Sequence, residues 1–239
     1  MSAAQNLSHS TLERIQKQFN MTEIGAPFMP FTSPMGPVGE CRIFSGDVVT
    51  KMVYIRMTVE AFGLDSHMIF AFTAPESPIP HFTLDSVMMP EGFAFHLDLI
   101  PRVDLGANLD YIMQVFNPLD DVFAEAATIE GLTPARLLPT QYAIMSPWML
   151  AYRANAEAFD AIQDPVSKYL EHWFSVVENG APDAGYSAEQ LAQRDQNNRN
   201  AIFNPEVDKV WAQVDRLLGE EVSAQLQTIL KNQAVEAVS

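Results

Sequence analysis

The chain has one cysteine, Cys41, which excludes an intrachain disulfide and any zinc or iron–sulfur site built from cysteines. Basic residues are scarce. Fourteen Lys and Arg stand against 30 acidic residues, and a formal net charge of −16 repels phosphate backbones, which argues against nucleic acid as a partner. No apolar run approaches the roughly 20 residues of a membrane-spanning helix. The first residues, MSAAQNLSHSTLERIQKQF, have no cationic start followed by an apolar block, so no secretory signal is visible. A cytoplasmic location is expected, or a mature chain that has lost a targeting segment. A glycine-rich phosphate loop is missing, which removes Rossmann and P-loop nucleotide sites. There is no Gly-x-Ser-x-Gly, and Ser146 has no recognisable base nearby in sequence.

What is present is apolar bulk. With 239 residues, 48% apolar and 10% aromatic, the chain supports one large domain or two small ones and is not disordered by composition. Residues 1 to about 20 read as an amphipathic helix with Leu12, Ile15 and Phe19 on one face. Pro27, Pro30, Pro34 and Pro37 mark an extended connector, so residues 1–38 are expected to precede a single domain over 39–235. From 40 to 101 the pattern is β: 40–44, 48–59, 67–73, 81–88 and 92–100, with short punctuated gaps that predict an antiparallel meander. From 105 to 235 it is helical. Leu109, Ile112, Met113 and Phe116 are expected to share a face. Asp164-Pro165 reads as cap and first residue of a helix ending at Gly180, and Asn204-Pro205-Glu206 as the opening of another that stops at Gly219. A further helix is expected from about Ser187 to Asn200, and a last one from Glu220 to Lys231. Strands first and helices afterwards predict an α+β fold: a three-layer α/β/α sandwich with a central antiparallel β-sheet.

Two carboxylates stand out, Asp85 in a strand-like run and Asp208 in a helix-like segment far downstream. Pairing Met88 with Phe93 across the turn at 89–92 sets Asp85 opposite His96, Thr83 opposite Asp98 and Leu84 opposite Leu97. Phe82, Leu84, Phe95, Leu97 and Leu99 then line one face, and His81, Thr83, Asp85, His96 and Asp98 the other. The polar face has two readings: an acid/base floor for a pocket, or a sheet face turned to solvent. Histidine and aspartate are also metal ligands, but the helical i, i+4 histidine pair of zinc peptidases is absent and no metal is expected. Arg153, Arg194 and Arg199 are candidates for bidentate pairing with ligand carboxylates, or solvated helix arginines.

The run from Asp98 to Tyr111, DLIPRVDLGANLDY, resembles the D-L-x-x-R-x-D-L-x-x-N-x-D-Y signature of red chlorophyll catabolite reductases. The stretches Leu191–Asp195 with Arg199, and Leu218–Ser223, are similar to that family's closing helices. Residues 75–85, PESPIPHFTLD, resemble the part of the related ferredoxin-dependent bilin reductases that carries a catalytic aspartate. The resemblance spans roughly residues 40 to 232. It implies reduction of a linear tetrapyrrole with electrons from reduced ferredoxin, no bound cofactor, a substrate held between sheet and C-terminal helices and, from family habit alone, a homodimer. It also implies a plastid location if a targeting segment was removed. On this reading Asp85 and Asp208 are the proton donors. His81, Thr83, His96, Asp98, Arg102, Arg153 and Arg199 contact substrate, the arginines through its propionates. The chlorophyll-catabolite branch has glutamate at the strand position, the bilin branch aspartate, as here; the alternatives are therefore a reductase of biliverdin or a carrier without turnover. A histidine used by some bilin reductases falls near Met68, not at His67. Ferredoxins are usually acidic, and Arg42, Lys51 and Arg56 form the one cationic cluster of the first 100 residues, either a docking patch or scattered surface charge.

Overall fold

The computed structural model describes residues 1–24, 29–33 and 36–235. After the N-terminal helix α1 (Ala3–Gln18) come β1 (Thr22–Glu23), β2 (Met29–Ser33), β3 (Gly36–Ser45), β4 (Val49–Val59), β5 (Leu64–Thr73), β6 (His81–Met89) and β7 (Gly92–Ile100). The second half holds α2 (Leu109–Tyr111), α3 (Asp120–Ala126), β8 (Leu132–Pro134), α4 (Pro139–Tyr142), β9 (Leu150–Ala154) and α5 (Ala156–Ala161). It closes with α6 (Gln163–Asn179), α7 (Ala188–Ile202), α8 (Trp211–Leu218) and α9 (Glu220–Lys231). One antiparallel sheet runs β1-β3-β4-β5-β6-β7-β9-β8, with β2 paired to β3. Helices cover both faces, as the sequence predicts.

The β6–β7 hairpin has the predicted register, with Asp85 opposite His96, Thr83 opposite Asp98 and Met88 opposite Phe93. Its two-residue loop, Pro90-Glu91, ends at Gly92, whose φ of +129° is a conformation other residues rarely adopt. The apolar face of the hairpin joins a core with α1 and α6. There Trp173 is fully buried, packs on Phe82 with ring centroids 5.4 Å apart, and donates its indole N–H to Pro80 O at 2.8 Å. The polar face is not solvated. A second core of Cys41, Val53, Ile55, Phe70 and residues of α7, α8 and α9 roofs it. Cys41 is buried there, and that burial pushes its thiol up to about 12.

Several local expectations are corrected. Pro27 and Pro34 of the expected connector lie outside the described residues, while Pro30 and Pro37 stand in paired strands. The helical segment after 109 passes into a π-turn over Ile112–Phe116, whose longer hydrogen-bond step rotates the buried face. Leu109 and Met113 therefore stay exposed at 67% and 55%, and Tyr111 and Val115 are buried beside Phe116 in their place. Asp164 does not cap α6. α5 runs almost directly into α6, Ile162 occupies the cap, and Asp164 pairs with Lys168 at 2.9 Å from inside the first turn. Gly180, at φ +84°, does end that helix. The helix expected from 204 begins only at Trp211: Asn204 and Asp208 each accept a backbone N–H two residues on, from Glu206 at 2.9 Å and Val210 at 3.0 Å, and those turns displace helix.

Candidate active site

Between the polar face of the hairpin and the roof lies a cavity of about 350 Å³. The ladder sets its floor. One row across five strands reads Ile55, Met68, Asp85, His96, Ala151, and the next reads Met57, Ser66, Val87, Ala94, Arg153. The roof contributes Phe203, Trp211 and Val214, and the segment between β8 and β9 contributes Leu137, Met145 and Met149. The walls are mostly apolar, with few polar groups, the usual make-up of a small-molecule site. Met68 faces the cavity beside Asp85, while its neighbour His67 points to the opposite layer. There His67 accepts the Tyr54 hydroxyl at 2.7 Å and bonds Asp65 at 2.9 Å.

Asp85 and His96 meet across strands with Oδ2 and Nδ1 3.8 Å apart, too long for a hydrogen bond, and both side chains are partly exposed. Asp85 Oδ1, His96 Nε2 and Thr83 Oγ1 have no hydrogen-bond partner among the described residues, and neither does Trp211 Nε1 in the roof. Burial alone would lower the His96 pKa. The carboxylates of Asp85, Asp98 and Asp208 outweigh it and hold the imidazole above its ordinary value. Asp208 stands in the turn ahead of α8, not on a helix, and projects from the roof. Burial, reinforced by the negative charge of Asp85, raises its carboxyl above the usual range. Two carboxyls from opposite walls thus address one imidazole, an arrangement able to hold and release protons toward a bound molecule.

Of the residues proposed from sequence, Thr83, Asp85, His96, Arg153 and Asp208 line this cavity. Four do not. Asp98 shares the His96 face but is fully buried outside the cavity, where it accepts the backbone N–H of Ser146 at 3.0 Å and the Ser146 hydroxyl, anchoring the segment that carries Met145 and Met149. His81, Arg102 and Arg199 close around Asp195 instead. His81 Nδ1 accepts the Thr73 N–H at 3.1 Å, so its Nε2–H donates to Asp195 Oδ1 at 2.6 Å. Arg199 Nε donates to Asp195 Oδ2 at 2.8 Å, and Arg102 Nη2 lies 3.4 Å from Oδ1. Burial lowers the His81 pKa to about 3. Asp195 is held far below the carboxylate range: burial opposes this, and the His81 bond with the Arg199 and Arg102 charges overrides it. These side chains bolt α7 to the sheet. Only the Asp195–Arg199 half of the bolt, an i, i+4 pair on a predicted helix, is legible in sequence; His81 and Asp195 are 114 positions apart. Trp211 and Met68 of the cavity wall were also missed; each reads as ordinary core in an apolar pattern.

The run that carries the family resemblance is scaffold. Arg102 donates to Pro75 O at 2.7 Å, Asp104 caps the short turn after it, and Tyr111 donates to Pro78 O at 2.6 Å. Of the cationic cluster, Arg42 and Arg56 are diagonal neighbours on one sheet face, each set against an acid, and Lys51 is apart from them. Arg42 pairs with Glu23 at 2.7 Å, Arg56 lies 4.0 Å from Glu40, and Lys51 is buried with its ammonium on carbonyls at the end of α9.

The fold is shared with phytochromobilin synthase. The crystal structure of the tomato protein in complex with biliverdin superposes with a TM-score of 0.78 over 96% of this chain and 83% of that one, at 15% sequence identity. No family model and no curated protein matches the sequence. At that identity the likeness establishes the architecture, and the chemistry rests on the cavity.

Proposed function

We propose that this chain is a ferredoxin-dependent reductase of an open-chain tetrapyrrole, with Asp85 and Asp208 as proton donors. The observation that carries the reading is the pair of carboxyls facing one imidazole inside an apolar cavity, between the sheet and the C-terminal helices. The shared fold with a synthase that holds biliverdin supports the ligand class.

Reducing one carbon–carbon double bond takes two electrons and two protons. Ferredoxin delivers the electrons singly and from outside, so after each transfer a proton must arrive at a defined carbon. Asp208, whose pKa burial raises, is suited to give one proton, and Asp85 gives the other. His96, whose pKa the three carboxyl groups around it raise against burial, is placed to return a proton to Asp85 across the strand pair. Thr83 and Trp211 contribute unpartnered polar groups that fix the ligand's edge.

The first substrate reading is a red chlorophyll catabolite, on the resemblance of residues 98–111. Biliverdin is the second, favoured by the aspartate at position 85 and by the biliverdin in the tomato protein. Both tetrapyrroles, each incubated without oxygen with the protein and reduced ferredoxin, separate the readings by absorbance and product chromatography. Loss of conjugation in one mixture names the substrate. A shifted spectrum without product from either identifies a carrier, and no spectral change with either sinks the reading.

A further inference from the structure

The chain has three tryptophans, and their indole N–H groups fare differently. That of Trp148 donates to Asp120 Oδ1 at 2.6 Å, and that of Trp173 to Pro80 O at 2.8 Å. Trp211 stands apart. It is only 5% exposed and lines the cavity, and its enclosed Nε1 has no partner among the described residues. An indole N–H donates and cannot accept, and a buried donor left unpaired destabilises the fold that holds it. Trp211 is the first residue of α8, and Phe203, Val214 and Leu226 around it on the roof have apolar side chains.

The corner that Trp211 occupies restricts what can meet it. Asp208 lies three residues earlier, in the turn that leads into α8, with Oδ1 accepting the Val210 N–H at 3.0 Å. Among the described residues, Asp208 and Trp211 are the two polar side chains that the roof presents to the cavity. Asp85 stands on the floor, close enough for its charge to act on Asp208. A ligand carboxylate in this corner would therefore be repelled from two sides. A pyrrole N–H would aim one donor at another. A neutral oxygen acceptor meets neither objection, and an open-chain tetrapyrrole carries one at each end: the two carbonyl oxygens left where the ring was opened.

We infer that the Trp211 indole N–H receives the carbonyl oxygen at one end of the tetrapyrrole, which makes Trp211 a specificity-determining contact. This rests on the tetrapyrrole reading and adds an orientation to it. One turn of chain separates Trp211 from Asp208, so the end that the indole holds is the end that Asp208 addresses. The floor cannot make this choice alone, because the Thr83 hydroxyl and the His96 imidazole can each donate or accept.

The probes are biliverdin and red chlorophyll catabolite, each added to the full chain carrying ¹³C and ¹⁵N, with the indole resonances assigned by triple-resonance experiments. With a bound tetrapyrrole the Trp211 N–H resonance should move and its hydrogen exchange should slow. Those of Trp148 and Trp173 should stay in place, because protein groups already hold them. Trp211→Phe keeps an aromatic ring and removes the N–H. Its affinity should fall about fivefold, the size expected for one lost hydrogen bond. In the infrared, one terminal C=O band of the bound ligand should rise in frequency in Trp211→Phe, and the other should not move. A bound tetrapyrrole that leaves the Trp211 resonance and its exchange unchanged would overturn the assignment and leave the tetrapyrrole reading standing. So would a Trp211→Phe variant with wild-type affinity and unshifted C=O bands. If that variant does not fold, the resonance and exchange in the wild type decide. A wild type that binds neither probe would overturn the reading itself, and the assignment with it.

Discussion

Two histidine–aspartate pairs occupy the same face of this sheet, and they have opposite characters. His81 and Asp195 meet at 2.6 Å, wholly buried, with both imidazole nitrogens engaged and both carboxylate oxygens held by further partners. His96 and Asp85 stand 3.8 Å apart, partly exposed, each with a polar atom that has no partner among the described residues. The first pair has nothing left to offer a ligand; the second has little else to do. Burial acts on both imidazoles in the same direction. At His81 it wins, because two arginines add to it. At His96 three carboxylates defeat it. The chemistry of a site on this face is set by what remains unsatisfied there, not by residue type.

Replacing Asp195 should have the largest effect. Asp195→Ala leaves Arg102 and Arg199 buried without their counter-ion, a loss of about 3–5 kcal/mol that urea unfolding measures. Tetrapyrrole affinity per folded molecule should be unchanged. Asp85→Asn should do the reverse: turnover falls about 100-fold or more, with affinity and unfolding midpoint close to wild type. Asp208→Asn should behave likewise, and a radical trapped after one electron, detected by electron paramagnetic resonance, would assign it the second proton. Wild-type turnover in both variants would remove the proton-donor assignment.

The two imidazoles should also pull stability in opposite directions with pH. His81 has a depressed folded pKa, so the unfolded chain binds its proton first. Its contribution is complete above the unfolded value near 6.5 and disappears as pH falls toward about 3. His96 has a raised folded pKa, so its contribution is complete below about 6.5 and is lost as pH rises through the folded value. Urea titrations from pH 4 to 9 should find the acid-side slope flattened in His81→Gln and the alkaline-side slope flattened in His96→Gln. The alkaline limb of the rate profile should vanish with the latter. Thr83→Val should have the smallest effect: removing a buried hydroxyl without a partner leaves stability equal or higher by about 1 kcal/mol, which a thermal melt would register.

The hairpin was legible because alternation and a tight turn are local, and one register keeps the two faces unmixed. That the polar face was covered was not legible, since alternation says which residues share a face and nothing of what lies over it. The strands β8 and β9, of three and five residues, carry too little pattern to be seen, yet β9 brings Arg153 to the cavity. Asp208 stands out in the sequence, and the resemblance gives it a role, but periodicity misplaces it: its own side chain makes the turn that keeps it out of a helix. Arg102 reads as a substrate contact because its partner Asp195 lies in an element far along the chain; for Arg199 the partner is local, an i, i+4 pair within α7, and an exposed helix pair in sequence looks no different from this buried one.

Cys41 gives the molecule a chemical clock. Only a thiolate reacts with alkylating reagents, and this thiol is both enclosed and held protonated while α7, α8 and α9 rest on the sheet. Its modification therefore times how often that roof lifts. With no second cysteine to confuse the signal, the labelling rate reads the opening equilibrium directly. A tetrapyrrole that bridges floor and roof should slow it in proportion to its occupancy.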